Sequence, residues 1–191
     1  MKNIICIVGN PNCGKTTLFN ALTGSKQEVG NWPGVTVDKK TGRYSFEGND
    51  VEIVDLPGIY SITPASTSGE DERIARDYIL TDEAQAVINI VDASNLERNL
   101  YLTAQLIEMR VPMVVAVNML DIAKNHKIEV DLKALQQALG CPVVGLMAAR
   151  EQGVRELQKT VAEFLKNPQL PPMNVSFEER IEKAREAITQ G

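Results

Sequence analysis

The chain has 191 residues, 43% hydrophobic and 24% charged, the balance of a globular chain long enough for one well-buried domain and a short appendage. A net charge of −5 and a pI near 5.0 argue against non-specific binding to nucleic acid, and no apolar run approaches the roughly 18 residues that span a bilayer. The first residues lack an h-region and a small-residue cleavage site, so a strand is expected there and not a signal peptide, in a chain that stays in the cytoplasm.

Strand and helix signals alternate. Residues 4–8 are a short apolar run rich in β-branched side chains, a Gly/Pro/Asn loop follows, and 17–22 read as a helix. Residues 25–38 hold Gly30, Pro33 and Gly34 with little periodicity, so a long loop is expected. Residues 41–46 and 51–54 flank Glu47-Gly48-Asn49-Asp50 as a hairpin-like pair. A Ser/Thr-rich loop at 59–69 precedes helical spacing over 70–80. Residues 86–91 read as a buried strand, 96–109 as a long helix, 113–118 as a second buried strand, and 130–139 as a helix stopped by Gly140. Residues 142–146 read as a strand and 154–165 as an amphipathic helix. This alternation predicts an α/β fold: a mostly parallel six-stranded sheet with one antiparallel edge strand from 41–54, and helices on both faces.

Residues 167–174 carry Pro168, Pro171 and Pro172 and read as a linker. A charged helical pattern then resumes over 177–189, with too little partner surface of its own. The expected organisation is a domain over 1–166, then a linker and the start of a truncated helical region over 167–191.

The strongest motif is Gly9-Asn10-Pro11-Asn12-Cys13-Gly14-Lys15-Thr16, which fits G-x-x-x-x-G-K-[ST] and lies between a strand and a helix. Its glycines let backbone N–H groups turn in around a β-phosphate, and the following helix aims its positive end at the anion. Lys15 reaches the β- and γ-phosphates and the Thr16 hydroxyl ligates Mg²⁺. Asp55-Leu56-Pro57-Gly58 ends the strand 51–54: its acid suits water-mediated Mg²⁺ binding, and Gly58 N–H suits the γ-phosphate. Asn118-Met119-Leu120-Asp121 ends the strand 113–117, on the edge of a parallel sheet where ligands bind. A carboxylate there accepts from the guanine ring N–H and exocyclic amine, a donor pair that adenine lacks. D-x-x-G alone is usually a turn and N-x-x-D alone a capping acid. Their order behind the phosphate loop favours function and makes the nucleotide GTP.

The three motifs resemble the G1, G3 and G4 boxes of translation-factor-class GTPases. Met119 stands where the G4 box usually has lysine, and Ala148-Ala149-Arg150 sits where Ser-Ala-Lys normally offers a backbone N–H to the guanine oxygen. A closer resemblance is to the N-terminal G domain of the ferrous iron transport protein B family of bacterial membrane proteins. It is carried by residues 9–20, by Val29-Gly-Asn-Trp-Pro-Gly-Val-Thr-Val37, by Asp55-Leu-Pro-Gly-Ile-Tyr-Ser61, and by residues 91–100 and 118–123. The segment around Trp32 is far more specific than the phosphate loop, and Met119 fits this family.

The resemblance implies a GTP site made of Gly9, Asn10, Asn12, Cys13, Gly14, Lys15, Thr16 and Thr17, then Gly34, Val35 and Thr36, then Asp55, Gly58, Asn118, Met119, Asp121, Ala148 and Ala149. It makes 25–38 switch I and 57–70 switch II, with Thr36 closing on Mg²⁺ beside Thr16 and Asp55; Thr41 is a rival lying too close to the next strand. Lys15, Asn12 and Thr36 are the implied catalytic set. Asn12 with carbonyls around Gly30 and Trp32 is implied to hold an activating K⁺ in place of an arginine finger. Trp32 otherwise reads as a packed loop anchor. Ile59 stands where Ras-like enzymes carry a water-orienting Gln, so slow intrinsic hydrolysis is expected; Glu70 and Asp71 are candidates for positioning water or simply a solvated helix start.

The implied partners are GTP and GDP, the transporter's membrane domain, an adjoining helical domain and small Feo accessory proteins, at the cytoplasmic face of the inner membrane and with no nucleic acid. A free-standing GTPase of ribosome or tRNA maturation, a binding module with negligible turnover and an ATPase remain as alternatives. His126, the only histidine, falls in a polar loop and offers no iron site. The three cysteines lack metal-site spacing and read as reduced thiols, with Cys13 a candidate for oxidation inside the phosphate loop.

Overall fold

The computed structural model describes residues 3–62 and 68–191. A seven-stranded sheet in the order β2-β3-β4-β1-β5-β6-β8 forms its middle layer. Strands β1 (Asn3–Gly9), β4 (Asn49–Asp55), β5 (Ala86–Asp92), β6 (Met113–Asn118) and β8 (Val143–Gly145) run parallel, and β3 (Asp38–Phe46) is antiparallel to β4. Successive side chains on the central strands go to opposite faces, and both faces are apolar. Ile5 and Ile7 pack with α1 (Lys15–Thr23) and α6 (Val154–Lys166). Cys6 and Val8 pack with α2 (Glu70–Leu80), α3 (Leu96–Glu108) and α5 (Leu132–Leu139). That two-sided burial explains why these strands read as unbroken apolar runs.

The seventh strand is β2 (Gln27–Asn31), which pairs antiparallel with β3 inside the segment expected to be a loop. Its residues are exposed or half-buried, with Val29 65% exposed, so it buries no face and leaves no alternation to read. A short helix α4 (Leu120–Asn125) also appears, entered through Met119 in a left-handed conformation. Helix α5 starts two residues later than expected because the Asp131 carboxylate caps it, accepting from the N–H groups of Lys133 and Ala134, each at 3.0 Å.

The terminal helix α7 (Phe177–Glu186) finds its partner surface on α3 and α5. Phe177 meets Tyr101 edge to face at 5.5 Å, and Arg185 pairs with Glu97. The chain leaves the helix at Ala187, earlier than the pattern predicts, and β9 (Ile188–Gln190) pairs antiparallel with β7 (Ile128–Val130). Arg180 is 3% exposed and donates to the carbonyls of Leu139 at 2.9 Å, Ala138 at 3.3 Å and Pro172 at 2.7 Å. Its charge sits at the negative end of α5, which lowers the cost of burying it. Gly140 makes the junction possible: its φ is +71°, and a Cβ there would lie 2.5 Å from Pro172 Cδ. Removing Arg180 leaves buried carbonyls without a donor, so Arg180→Ala is expected to cost about 2–4 kcal/mol, read as a lower urea midpoint. An unchanged midpoint would mean that α7 contributes nothing to the cooperative unit.

Candidate nucleotide-binding site

The phosphate loop leaves the C-terminal end of β1 and enters α1. Asn12 (φ +65°) and Gly14 (φ +90°) both turn left-handed, the alternation that points successive N–H groups into one concavity. Gly14 is required twice over, because a Cβ there would also fall 2.2 Å from Asn118 Nδ2. Beside the loop lies a cavity of about 570 Å³ lined by Asn10, Pro11, Asn12, Gly14, Lys15, Thr16, Thr17, Gly58, Asp71 and Met119.

The D-x-x-G turn is pressed onto this loop. Ile59 N–H donates to Gly9 O at 3.0 Å, and a Cβ on Gly58 would sit 3.2 Å from Pro11 Cα. Lys15 Nζ lies 2.6 Å from Asp55 Oδ1, with side chains 12% and 8% exposed. A phosphate drawing on Lys15 and a hard cation drawing on Asp55 would each replace half of that pair. The Thr16 hydroxyl on the cavity and the Asp55 carboxylate are oxygen donors suited to Mg²⁺. Ile59 is 2% exposed and packs into the core, so its side chain contributes nothing at the cavity. Asp71 lines the cavity, whereas Glu70 faces Arg73 at 3.9 Å.

The expected switch I residues stand apart from this cavity. Gly30 pairs with Lys39 across β2 and β3, and β2 is three strands from β1, a lateral distance of about 14 Å. The Trp32 carbonyl accepts from Val35 N–H at 3.3 Å, and Trp32 N–H donates to Val37 O at 2.9 Å. Gly34 (φ +76°), Val35 and the exposed Thr36 belong to that turn. The Trp32 ring is 7% exposed, edge to face with Tyr78 at 5.4 Å, with Lys39 Nζ 4.8 Å above it. In this conformation Trp32 is a packed anchor. Asn12 stands at the cavity while Gly30 and Trp32 are held in the edge hairpin, so the residues implied for K⁺ are not assembled. Switch II was expected over 57–70, of which 63–67 lie outside the described residues.

Asn118 joins the two ends of the site. It is 3% exposed; its Nδ2 donates to Cys13 O at 3.2 Å and its Oδ1 accepts from Ala148 N–H at 2.9 Å. The Ala148 N–H is thereby committed within the protein. Met119 lines the cavity, its Cε 3.5 Å from where a Gly14 Cβ would be, so it lies along the phosphate loop. Asp121, in the first turn of α4, lies 3.5 Å from Arg150 Nε. One positioning residue, Gln105, has no counterpart among the sequence motifs, and the contact that Arg150 makes with Asp121 has none either. Gln105 accepts from Ile62 N–H at 3.0 Å and donates to Ser61 Oγ at 3.2 Å, fixing the segment after the D-x-x-G turn on α3. An amide on the apolar face of α3, between Leu102 and Leu106, was the available signal. Arg150 had none beyond its place after Ala149.

A phosphate loop between the first strand and first helix, with D-x-x-G and N-x-x-D turns beside it at the C-terminal ends of parallel strands, defines the P-loop GTPase fold. A family model described as ferrous iron transport protein B matches residues 3–161. The chain belongs to that family. The Fe(2+) transporter FeoB of Escherichia coli K12 is 52% identical over 167 residues, covering 87% of this chain and 22% of the relative. That of Salmonella typhimurium is 53% identical over 161 residues, 84% of this chain and 21% of the relative. This chain thus spans about one fifth of the curated relatives it matches. The cytosolic domain of L. pneumophila FeoB superposes with a TM-score of 0.83 at 45% identity, covering 91% of this chain and 73% of that one. The cytosolic domain of the T. maritima FeoB iron transporter in its GMPPNP form does so at 0.83 and 40%, covering 91% and 68%.

The thiols set a pH dependence. Burial pushes Cys13 up to about 11, against partial relief from Lys15, and pushes Cys6 and Cys141 up to about 12. Cys13 is 1% exposed and protonated at neutral pH, which opposes the expectation of an oxidation-sensitive thiol. An unfolded thiol loses its proton near the ordinary value of 9.0 while the folded one keeps it, so the unfolded state binds fewer protons above that pH. The thiol contribution is complete below pH 9 and is lost as pH rises towards 11 and 12. Urea titrations at stepped pH should show stability falling from pH 9 upward, less steeply in Cys13→Ala.

Proposed function

We propose that this domain binds Mg²⁺–GTP, hydrolyses it slowly, and serves as the regulatory GTPase module of a bacterial ferrous iron transporter. The observation that carries this reading is the convergence of Lys15, Thr16, Gly58 and Met119 on one cavity, with Asp55 paired to Lys15 at 2.6 Å. When bound, Mg²⁺ neutralises charge on the phosphates; Thr16 and Asp55 would hold it, and Thr36 would join after switch I leaves the edge hairpin. Lys15 orients the phosphates, Asp121 selects guanine, and the buried Ile59 leaves water to Thr36 or to Asp71.

The T. maritima relative in a GMPPNP form and the S. thermophilus relative bound to GDP support guanine nucleotide as ligand. Residues 1–166 form the GTPase domain in this reading, and 167–191 lead into an adjoining helical domain. The membrane domain of the transporter and small Feo accessory proteins are the proposed partners, at the cytoplasmic face of the inner membrane. Asn12 with Gly30 and Trp32 carbonyls would bind a stimulating K⁺ once the hairpin opens, where a monovalent cation offsets charge developing in the transition state. A module with negligible turnover is the second reading, favoured by the buried Ile59.

Two measurements test the proposal. Asp121→Asn is expected to shift preference from GTP towards XTP by at least tenfold, because an amide no longer accepts from both guanine donors; retained GTP preference would refute the base assignment. GTP turnover is expected to be several-fold faster in KCl than in NaCl, and this difference is expected to vanish in Asn12→Ala. Equal rates in both salts would remove K⁺, and undetectable release of phosphate in either would leave the binding-module reading.

A further inference from the structure

We propose that Arg150 is a displaceable occupant of the base site, holding the Asp121 carboxylate in the place that the guanine ring N–H and exocyclic amine would take. This rests on the reading of Asp121 as the guanine-selecting carboxylate. Arg150 Nε lies 3.5 Å from Asp121 Oδ2. A guanidinium and the guanine edge present the same chemistry to a carboxylate, two coplanar N–H donors side by side. Full engagement of Asp121 by the guanine edge would weaken its hold on the guanidinium, so nucleotide binding would displace the arginine.

The backbone under Arg150 is fixed from several directions. It ends a short 3₁₀ turn, Ala148–Arg150, whose first N–H is bound by Asn118 Oδ1 at 2.9 Å. The turn is closed by Met147 N–H to Gln152 O at 3.0 Å and Gln152 N–H to Met147 O at 3.2 Å, with Glu151 at φ +54°. The motion available is therefore in the arginine side chain. That side chain is 65% exposed and Asp121 32%, so the pair is weak and readily exchanged. Lys124, three residues along α4 from Asp121, forms no ion pair with it among the described residues. The pair is thus a property of the 148–150 turn and not of helix α4.

The sign of the effect separates this role from simple attraction. A cation near a polyphosphate site that acted only at long range would strengthen binding, and its removal would weaken it. A competitor for Asp121 does the opposite. In stopped-flow titrations of mant-GDP, Arg150→Ala is expected to tighten binding about two- to fivefold, chiefly through faster association. The gain should shrink at high salt, where the pair in the parent protein is screened. Arg150→Lys, with a point charge in place of the fork, should fall between the two. In the Asp121→Asn background, measured with mant-XDP, Arg150→Ala should change nothing, because no carboxylate remains to be occupied.

Weaker or unchanged mant-GDP binding in Arg150→Ala, or the same gain in both backgrounds, would overturn the proposal. Failure of Asp121→Asn to take mant-XDP in preference to mant-GDP would overturn the base reading itself, a different and separately visible result. Thermal melts of each variant identify any loss of fold, and Arg150→Lys keeps the test open if the alanine variant is poorly folded.

Discussion

The side chain of Asn118 is the constraint on which the site depends. A buried primary amide has donors and an acceptor to satisfy, and an unpaired one costs free energy comparable to a lost hydrogen bond. Asn118 uses its Nδ2 on the phosphate loop and its Oδ1 on the turn that carries Arg150. The phosphate loop and the 148–150 turn are thereby held at a fixed separation by one side chain on a central strand. Gly14 completes the arrangement, since the amide occupies the space where a Cβ would be. The N-x-x-D motif thus supplies a strut at Asn118 and, in the proposed function, a base-reading acid three residues on.

Electrostatics in the cradle follow from the same rigidity. Lys15 and Asp55 are too enclosed to be solvated freely, and they are close enough to neutralise each other. Such a pair sets a competition in which a ligand supplying only an anion, or only a cation, leaves one partner without a counter-charge. A magnesium–polyphosphate complex supplies both. In the proposed function the pair would therefore favour the complex over its components.

The parts of this fold that were legible in the sequence are those where burial leaves a pattern. Strands β1, β5 and β6 are covered on both faces and read as apolar runs, and the glycines and the lysine of the phosphate loop have few alternative uses in that context. Strand β2 was not legible because an edge strand that buries neither face carries no periodicity. Arg180 was hidden for a related reason: a charged helix reads as solvent-facing, and only the packed structure reveals one arginine turned inward onto the end of α5. Gln105 and Arg150 act through contacts with residues more than 25 positions away, which no local window contains. The site was legible as motifs; the way its pieces brace one another was not.

Helix α3 joins regions that the chain order keeps apart. Through Gln105 it carries Ser61 and Ile62, through Thr103 it is bonded to Asn89 on β5, and through Glu97 and Tyr101 it seats α7. Thirteen residues of helix make a rod about 20 Å long, stiff along its axis on the scale of these contacts. The position of the segment after the D-x-x-G turn and the position of the terminal helix are therefore not independent coordinates. Both are held by contacts with the same helix, so a shift of α3 would be felt at each.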